Sequence, residues 1–149
     1  LATALIRNHR LWEVFLVEKL GLAWDEVHDI AEQLEHIQGE KLIEHLDEFL
    51  GHPRFDPHGD PIPDAQGRWL RRTQVRLATL SPGQRGVVTG VDDHSSNFLQ
   101  YLDALGLSLG AELEILARIA YDQSTKVQIV QREAMLSEKV CQNLFVRII

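Results

Sequence analysis

The stretch Asp25-Glu-Val-His-Asp-Ile-Ala-Glu-Gln-Leu-Glu-His-Ile37 decides how the first part of this chain folds. Its spacing predicts one amphipathic helix, on which His28, Glu32, Glu35 and His36 fall within an arc of roughly 100° beside the apolar face. These side chains therefore lie at the edge of the core. Carboxylate oxygens and neutral imidazole nitrogens are ligands that Mn, Fe, Co and Zn ions accept. The stretch predicts a metal site.

A second pair of the same kind precedes this helix. His9 and Glu13 are four residues apart and share one face of a helix expected over residues 2–20. Glu and His at such spacing also occur as a solvated face with local pairing, which is the alternative interpretation. Two helices that each carry a row of His and Glu side chains beside bulky apolar residues can pack those rows together, and this favours the metal site.

Composition narrows the function classes. The 149 residues carry a net charge of −7, which argues against binding of a nucleic-acid backbone by this chain alone. The single cysteine, Cys141, cannot form an internal disulfide. The sequence contains neither an apolar run of membrane-spanning length nor a signal peptide, so we expect a soluble cytoplasmic protein. Because it opens on Leu1 inside a predicted helix, we expect a fragment of a longer protein.

Three helices are predicted before residue 51. The first, residues 2–20, is apolar over so much of its circumference that we expect a partner subunit on its second side. The second begins at the N-cap Asp25 and runs to about Ile37, and the third covers residues 40–50. The loop that follows is rich in Pro, Gly and Asp and holds two further potential ligands, Asp56 and His58.

From Leu80 the pattern changes to alternating strands, which predicts a small barrel. Strands are expected at residues 84–91, 112–119, 126–131 and 145–149, with a short helix over 97–105. The fold class is therefore α+β, in which a three-helix domain precedes a small β-barrel. We assign residues 1–66 to the helical domain, 67–79 to a linker and 80–149 to the β domain.

Four stretches carry a resemblance to one known family. They are Arg7-Asn-His-Arg-Leu-Trp-Glu-Val-Phe-Leu-Val17, Leu22-Ala-Trp-Asp-Glu-Val-His-Asp-Ile-Ala-Glu-Gln-Leu-Glu-His36, Asp56-Pro-His-Gly-Asp-Pro-Ile-Pro63 and Phe98-Leu-Gln-Tyr-Leu-Asp-Ala-Leu-Gly-Leu107. They resemble the metal-dependent repressors related to the diphtheria toxin repressor, especially their manganese-regulator branch. The last stretch lies in the part that resembles the family's SH3-like, FeoA-type domain, and the family's N-terminal winged helix-turn-helix has no counterpart here.

The resemblance implies a primary metal site that includes Glu32, Glu35 and His36, with His9 as a further ligand. Ligands that the DNA-binding domain normally contributes to this site are missing. Iron-type relatives carry a Cys at the position of Glu32. A hard carboxylate there favours Mn(II), while Fe(II), Co(II) and Zn(II) remain possible.

Two further sets of ligands are implied by the same resemblance. Glu13 and His28 match an ancillary site that relatives complete from the SH3-like domain, for which the candidates here are Asp92 and Asp93. Asp56 and His58 match a second site of streptococcal manganese regulators, in which a loop Cys takes the place of Asp56.

The resemblance also implies partners. The first and third helices would form the apolar face of a homodimer, and operator DNA would be bound only through the missing domain. No membrane partner is expected, whereas the SH3-like domain could dock a Pro-rich segment such as residues 57–63. The residues assigned to the dimer face are Leu11, Trp12, Phe15, Leu46 and Phe49.

The expected function is the metal-sensing and dimerisation portion of a Mn(II)/Fe(II)-dependent repressor, and not an enzyme. One alternative is a metal-independent dimerisation and peptide-binding module. A less favoured one is a metallohydrolase that uses Glu32, Glu35 and His36 around an activated water. The sequence lacks the His-Glu-x-x-His pattern of zinc hydrolases and a second Glu-x-x-His helix.

Overall fold

The chain divides into two units, of which the first ends at Arg72 and the second spans Thr73–Ile149. The computed structural model describes residues 2–149. Helices dominate the first unit and an antiparallel sheet dominates the second, which confirms the predicted α+β class. Within residues 2–149, no helix combines the length and the apolar character that crossing a bilayer would require.

Helix α1 (Ala2–Glu18) is the centre of the first unit, because it packs against both other helices. Helix α2 is His28–Leu34 and helix α3 is Glu40–Phe49. Leu11 and Val14 join the α3 side of the core, whereas Leu16 packs towards α2. The sequence predicted burial of α1 on more than one side, and α2 and α3 of the same chain cover two of its sides.

The second helix is shorter than predicted. The expected N-cap, Asp25, is wrong, because α2 begins at His28 after a tight turn. That turn is closed by the backbone N–H of Glu26, which donates to the carbonyl of Ala23, and by the Glu26 carboxylate, which accepts from the Ala23 N–H. The helix ends at Leu34, so Glu35 is its C-cap and His36 lies beyond it.

The second unit is a six-stranded antiparallel sheet in the order β1-β6-β2-β3-β4-β5. Its register shifts between Val88 and Gly90 and again between Ile115 and Ala117, and such shifts bend strands as a small SH3-like barrel requires. The strands are β1 Val75–Arg76, β2 Arg85–Val91, β3 Glu112–Arg118, β4 Thr125–Ile129, β5 Arg132–Leu136 and β6 Leu144–Ile148, and the helices are α4 Ser96–Leu105 and α5 Glu138–Gln142.

The segment expected to be a linker, residues 67–79, contains ordered structure. Strand β1 pairs with β6, and Leu77 is fully buried in a single turn of 3-10 helix. Strand β5 and helix α5 were not predicted. On β5 only Leu136 is buried, so its sequence carries little alternation to read.

Candidate metal centre

Helix α1 presents His9 and Glu13 on one face, as their spacing predicts. His9 Nε2 lies 3.4 Å from Glu13 Oε2, and the Glu13 side chain is only 2% exposed. His9 also approaches α2, since its Nδ1 lies 3.2 Å from Glu35 Oε1 and its ring lies 5.0 Å from that of His28. The His- and Glu-bearing faces of α1 and α2 therefore meet at His9.

The loop after α3 brings two more ligands to the same side of α1. Asp56 and His58 are both buried, and their side chains turn towards Glu13. His58 Nδ1 lies 3.6 Å from Glu13 Oε2 and 3.9 Å from Asp56 Oδ2. One ligand atom from each of these residues lies within 4.8 Å of the others. We call Glu13, Asp56 and His58 the loop triad.

Backbone hydrogen bonds fix the loop that carries Asp56 and His58. Asp56 Oδ1 accepts from the N–H groups of His58 and Asp60, at 2.9 and 2.8 Å. The Asp60 carbonyl accepts from the Asp56 N–H, and Gly59 turns the chain at a φ of 86°. This conformation is open to glycine at little cost. Because Oδ1 is held by the backbone, Asp56 presents Oδ2 to the triad.

Trp24 holds the other end of the His58 ring, a role that no sequence pattern indicated. His58 Nε2 lies 2.7 Å from the Trp24 carbonyl oxygen, and the two rings stack at 6.0 Å with 16° between their planes. The two residues are 34 positions apart, and the contact uses a backbone atom, which no side-chain pattern reveals.

Burial and hydrogen bonds together shift the pKa values of the triad. Desolvation raises the pKa of Glu13 from 4.5 to about 7, although a hydrogen bond with His9 works in the opposite direction. Burial alone would raise the pKa of Asp56, but hydrogen bonds with His58 and Glu13 hold it below its ordinary value. Burial also disfavours charged His58, yet the Asp56 carboxylate outweighs this and raises the His58 pKa. The hydrogen bond with Glu13 likewise raises the pKa of His9.

A second group of ligand atoms lies on the surface of α2. It consists of His28, Asp29 and Glu32, which we call the helix ledge. The closest pair, His28 Nε2 and Glu32 Oε2, is 3.7 Å apart, and both side chains are more than half exposed. Asp29 was not among the predicted ligands, although its place beside His28 in the first turn is readable from the sequence.

Other predicted ligands lie apart from these groups. His36 is exposed and belongs to none of the groups of three ligand atoms found within residues 2–149. Asp92 and Asp93 belong to the second unit. There Asp92 Oδ2 lies 2.9 Å from Arg76 Nη1, and Asp93 Oδ1 accepts from the Ser95 N–H.

The predicted dimer face is only partly at the surface. Leu11 and Leu46 are in the core of the first unit, at 0% and 6% exposure, so the structure does not leave them on an outer face. Phe49 is 61% exposed, and Trp12 and Phe15 are half-buried. The rings of Phe15 and Phe49 lie 6.5 Å apart, which joins α1 to α3 at this surface.

Comparison with known proteins assigns both units. Residues 1–64 match the family described as iron dependent repressor, metal binding and dimerisation domain, and residues 75–148 match the FeoA domain. A solved manganese-dependent transcriptional repressor in complex with manganese superposes with a TM-score of 0.94 and 38% identity, over 99% of this chain and 71% of that one. The chain belongs to the metal-dependent repressor family of the diphtheria toxin repressor. This assignment agrees with the expectation that it is not an enzyme.

Curated relatives within and beyond this family align over less of their length. The diphtheria toxin repressor of Corynebacterium diphtheriae is 30% identical over 129 residues, which cover 79% of this chain and 57% of the relative. A probable metal transport system membrane protein of Chlamydia trachomatis serovar D is 44% identical over 62 residues, which cover 42% of this chain and 14% of the relative. The chain therefore spans from 14% to 57% of the length of these relatives.

The residues present fit the divalent metal that the family implies. Two carboxylates and one imidazole converge in the loop triad, and such oxygen and nitrogen donors suit first-row divalent ions. Burial and, to a smaller extent, the neighbouring Asp56 carboxylate raise the pKa of Glu13, because both disfavour a second negative charge there. A bound cation would compensate that charge.

Proposed function

We propose that this chain is the metal-sensing and dimerisation portion of a Mn(II)/Fe(II)-dependent transcriptional repressor that controls metal homeostasis. The observation that carries the proposal is the loop triad, because its three donors are buried, acidic overall and held in place before any ion binds. Arrangements that need little reordering lose less free energy on binding. The family assignment supports the same function.

Within the triad, the chain's own groups would hold the ion through Glu13 Oε2, Asp56 Oδ2 and His58 Nδ1. A divalent ion supplies positive charge between these donors and is not chemically changed. The ion must displace protons from Glu13 and from His58, both of which have raised pKa values. Metal binding should therefore weaken as the pH falls towards 6.

Mn(II) is the metal we favour, with Fe(II), Co(II) and Zn(II) as alternatives. The triad has only oxygen and nitrogen donors, and hard donors suit Mn(II) better than softer ions. Glu32 adds another carboxylate where iron-type relatives carry a thiolate. We propose Glu32, Glu35, His36 and His9 as this chain's part of the primary site, and His28 as a further ligand beside Glu13.

We also propose that the segment works as a homodimer in the cytoplasm. Phe49, Phe15 and Trp12 are the exposed or half-buried aromatics that a second copy could cover. Operator DNA would be bound through a domain outside this chain. Metal and operator binding would then be linked by a coupling free energy of about 1–3 kcal/mol, typical of allosteric proteins. We propose in addition that the SH3-like unit docks a Pro-rich peptide. Residues 57–63 of this chain are not available for that role, because His58 and Ile62 are buried in the first unit.

Binding of Mn(II) tests the metal-sensing part directly. Titration of the metal-free chain, followed by electron paramagnetic resonance of the unbound ion and by calorimetry, should show saturable binding with release of protons. Sedimentation velocity should show a dimer that Phe49→Asp weakens. Absence of saturable Mn(II) binding by a folded wild-type chain would refute the metal-sensing function and favour the metal-independent module.

The chlamydial relative supports a second candidate, a metal-sensing segment attached to a transport protein. In that relative the aligned residues form 14% of a probable membrane component of a metal transport system. Chromatin immunoprecipitation of the native gene product, in cells grown with and without added manganese, separates the two candidates. Manganese-dependent enrichment at discrete promoters supports the repressor, and membrane fractionation without enrichment supports the transport segment.

A further inference from the structure

The contact between Trp24 and His58 combines a hydrogen bond with the stacking of two rings. Trp24 lies in the turn that precedes α2, and it is buried at 9% exposure. Its carbonyl oxygen can only accept a hydrogen bond, so the His58 Nε2 atom, 2.7 Å away, must carry the hydrogen. In a neutral imidazole the lone pair then resides on Nδ1, which faces the Glu13 and Asp56 carboxylates.

The indole ring restrains the same imidazole in a second way. The two rings are nearly parallel, at 16°, and their centroids lie 6.0 Å apart. Partial rotation of the imidazole about its Cβ–Cγ bond would tilt the ring out of this stack and break the hydrogen bond to the carbonyl. A half-turn would keep the ring plane but would place the carbon Cδ2 towards the triad and the carbon Cε1 towards the carbonyl. The hydrogen bond therefore selects the orientation of the ring, and the stacking selects its plane.

We propose that Trp24 is the positioning residue of the loop triad, which fixes the hydrogen of His58 on Nε2 and aims Nδ1 at the two carboxylates. The inference rests on the proposed function, because it assigns the atom through which His58 would bind the metal. It parallels the anchoring of Asp56 Oδ1 by backbone N–H groups. Outer partners of this kind commonly set the tautomer and orientation of metal-binding histidines.

The tautomer can be measured without any metal. Long-range ¹H–¹⁵N spectra of the metal-free chain, recorded at alkaline pH and assigned with His58→Gln, should show His58 as the Nε2–H tautomer. In Trp24→Leu the signals should move towards a mixture of tautomers, whereas Trp24→Phe, which keeps an aromatic ring there, should retain the wild-type pattern. A wild-type spectrum of the Nδ1–H tautomer overturns the proposal, even if Trp24→Leu does not fold.

Metal affinity provides the second measurement. Loss of one aromatic pair predicts that Trp24→Leu weakens Mn(II) binding by about three- to tenfold, while Trp24→Phe stays within about twofold of wild type. The matched control is Trp69→Leu, since Trp69 packs under Arg10 and makes no contact described for the triad. Unchanged affinity in folded Trp24→Leu, or an equal loss in Trp69→Leu, overturns the proposal.

The two measurements separate this inference from the proposed function. If the wild-type chain binds no Mn(II) but His58 is the Nε2–H tautomer that depends on Trp24, the positioning stands and metal sensing fails. If Mn(II) binds and the tautomer is independent of Trp24, metal sensing stands and the positioning fails.

Discussion

The loop triad and the helix ledge contain the same kinds of side chain in opposite surroundings. In the loop triad every side chain is buried, and backbone atoms fix Asp56 and His58 from behind. In the helix ledge the closest pair is 56% and 60% exposed. Exposed pairs of this type contribute about 0–1 kcal/mol, because water screens them and flexible side chains must be ordered. Residue type alone therefore does not identify a binding site. The loop triad differs from the helix ledge in the burial of its side chains and in the backbone hydrogen bonds that hold them in place.

The largest expected effect comes from Glu13, the residue that the loop triad shares with the pair on α1. Glu13→Gln removes a buried charged donor, so Mn(II) affinity should fall by on the order of 100-fold or more, above the usual effect of an outer partner. Calorimetry or electron paramagnetic resonance measures this loss. Glu18→Gln, an exposed change on the same helix, should leave the affinity unchanged. Wild-type affinity in Glu13→Gln would contradict the importance of the triad.

Next in size is the dependence of stability on pH without metal. Folding raises the pKa of Glu13 from 4.5 to about 7, mainly by burial, so the folded state holds the proton of this carboxyl more tightly than the unfolded state does. The resulting stabilisation of the fold is complete below pH 4.5 and is lost as the pH rises through about 7. Raised pKa values of His9 and His58 act in the same direction above 6.5. The free energy of unfolding should fall by about 1–3 kcal/mol from pH 5 to pH 8.

Urea denaturation at several pH values measures this change. In Glu13→Gln the decrease should be clearly smaller, because the glutamine cannot ionise, and saturating Mn(II) should oppose the decrease in the wild type. Stability that rises over the same pH interval would show that the buried carboxylate is already ionised and well compensated.

A smaller effect is expected on the choice of metal. Asp56→Cys replaces a hard oxygen donor in the loop triad by a soft sulfur, so the ratio of Zn(II) to Mn(II) affinity should increase by about tenfold or more. Competition titrations with a chromophoric chelator give the ratio. Asp64→Cys, in the same loop but outside the triad, is the matched control. An equal ratio in wild type and Asp56→Cys would mean that Asp56 does not contact the ion.

The smallest effect is expected on the helix ledge. Glu32→Gln should change the Mn(II) affinity of this chain by less than about threefold, because exposed groups are screened and lack support. Measured beside Glu13→Gln under the same conditions, it tests the contrast between the two regions. A loss as large as that of Glu13→Gln would place the tightest site of this chain on α2 and reverse the comparison.

The sequence predicted the regular elements well where the pattern is long. The face of α3 and the alternation of β3 and β4 were readable, because burial on one side repeats over several residues. Strand β5 and helix α5 were missed, since each has five residues and few buried positions. The start of α2 was also wrong, because the turn at residues 23–26 uses the Glu26 carboxylate in place of a cap.

The candidate site, too, was predicted only in part from the sequence. Spacing along α1 predicted that His9 and Glu13 share a face, and the loop composition indicated Asp56 and His58 as possible ligands. Neither could predict that the loop returns to α1 and buries both residues beside Glu13. The Trp24 carbonyl was inaccessible to sequence reasoning, since every residue has a carbonyl and only the fold selects one.

A single oxygen atom, Glu13 Oε2, faces both His9 Nε2 and His58 Nδ1, at 3.4 and 3.6 Å. The chain's capacity for ions is therefore not the sum of its separate groups, since the α1 pair and the loop triad draw on one donor. Stoichiometry measured by titration has to be fitted with these groups as one unit. For the same reason, loss of the Glu13 carboxylate in a lineage would disrupt the α1 pair and the loop triad at once.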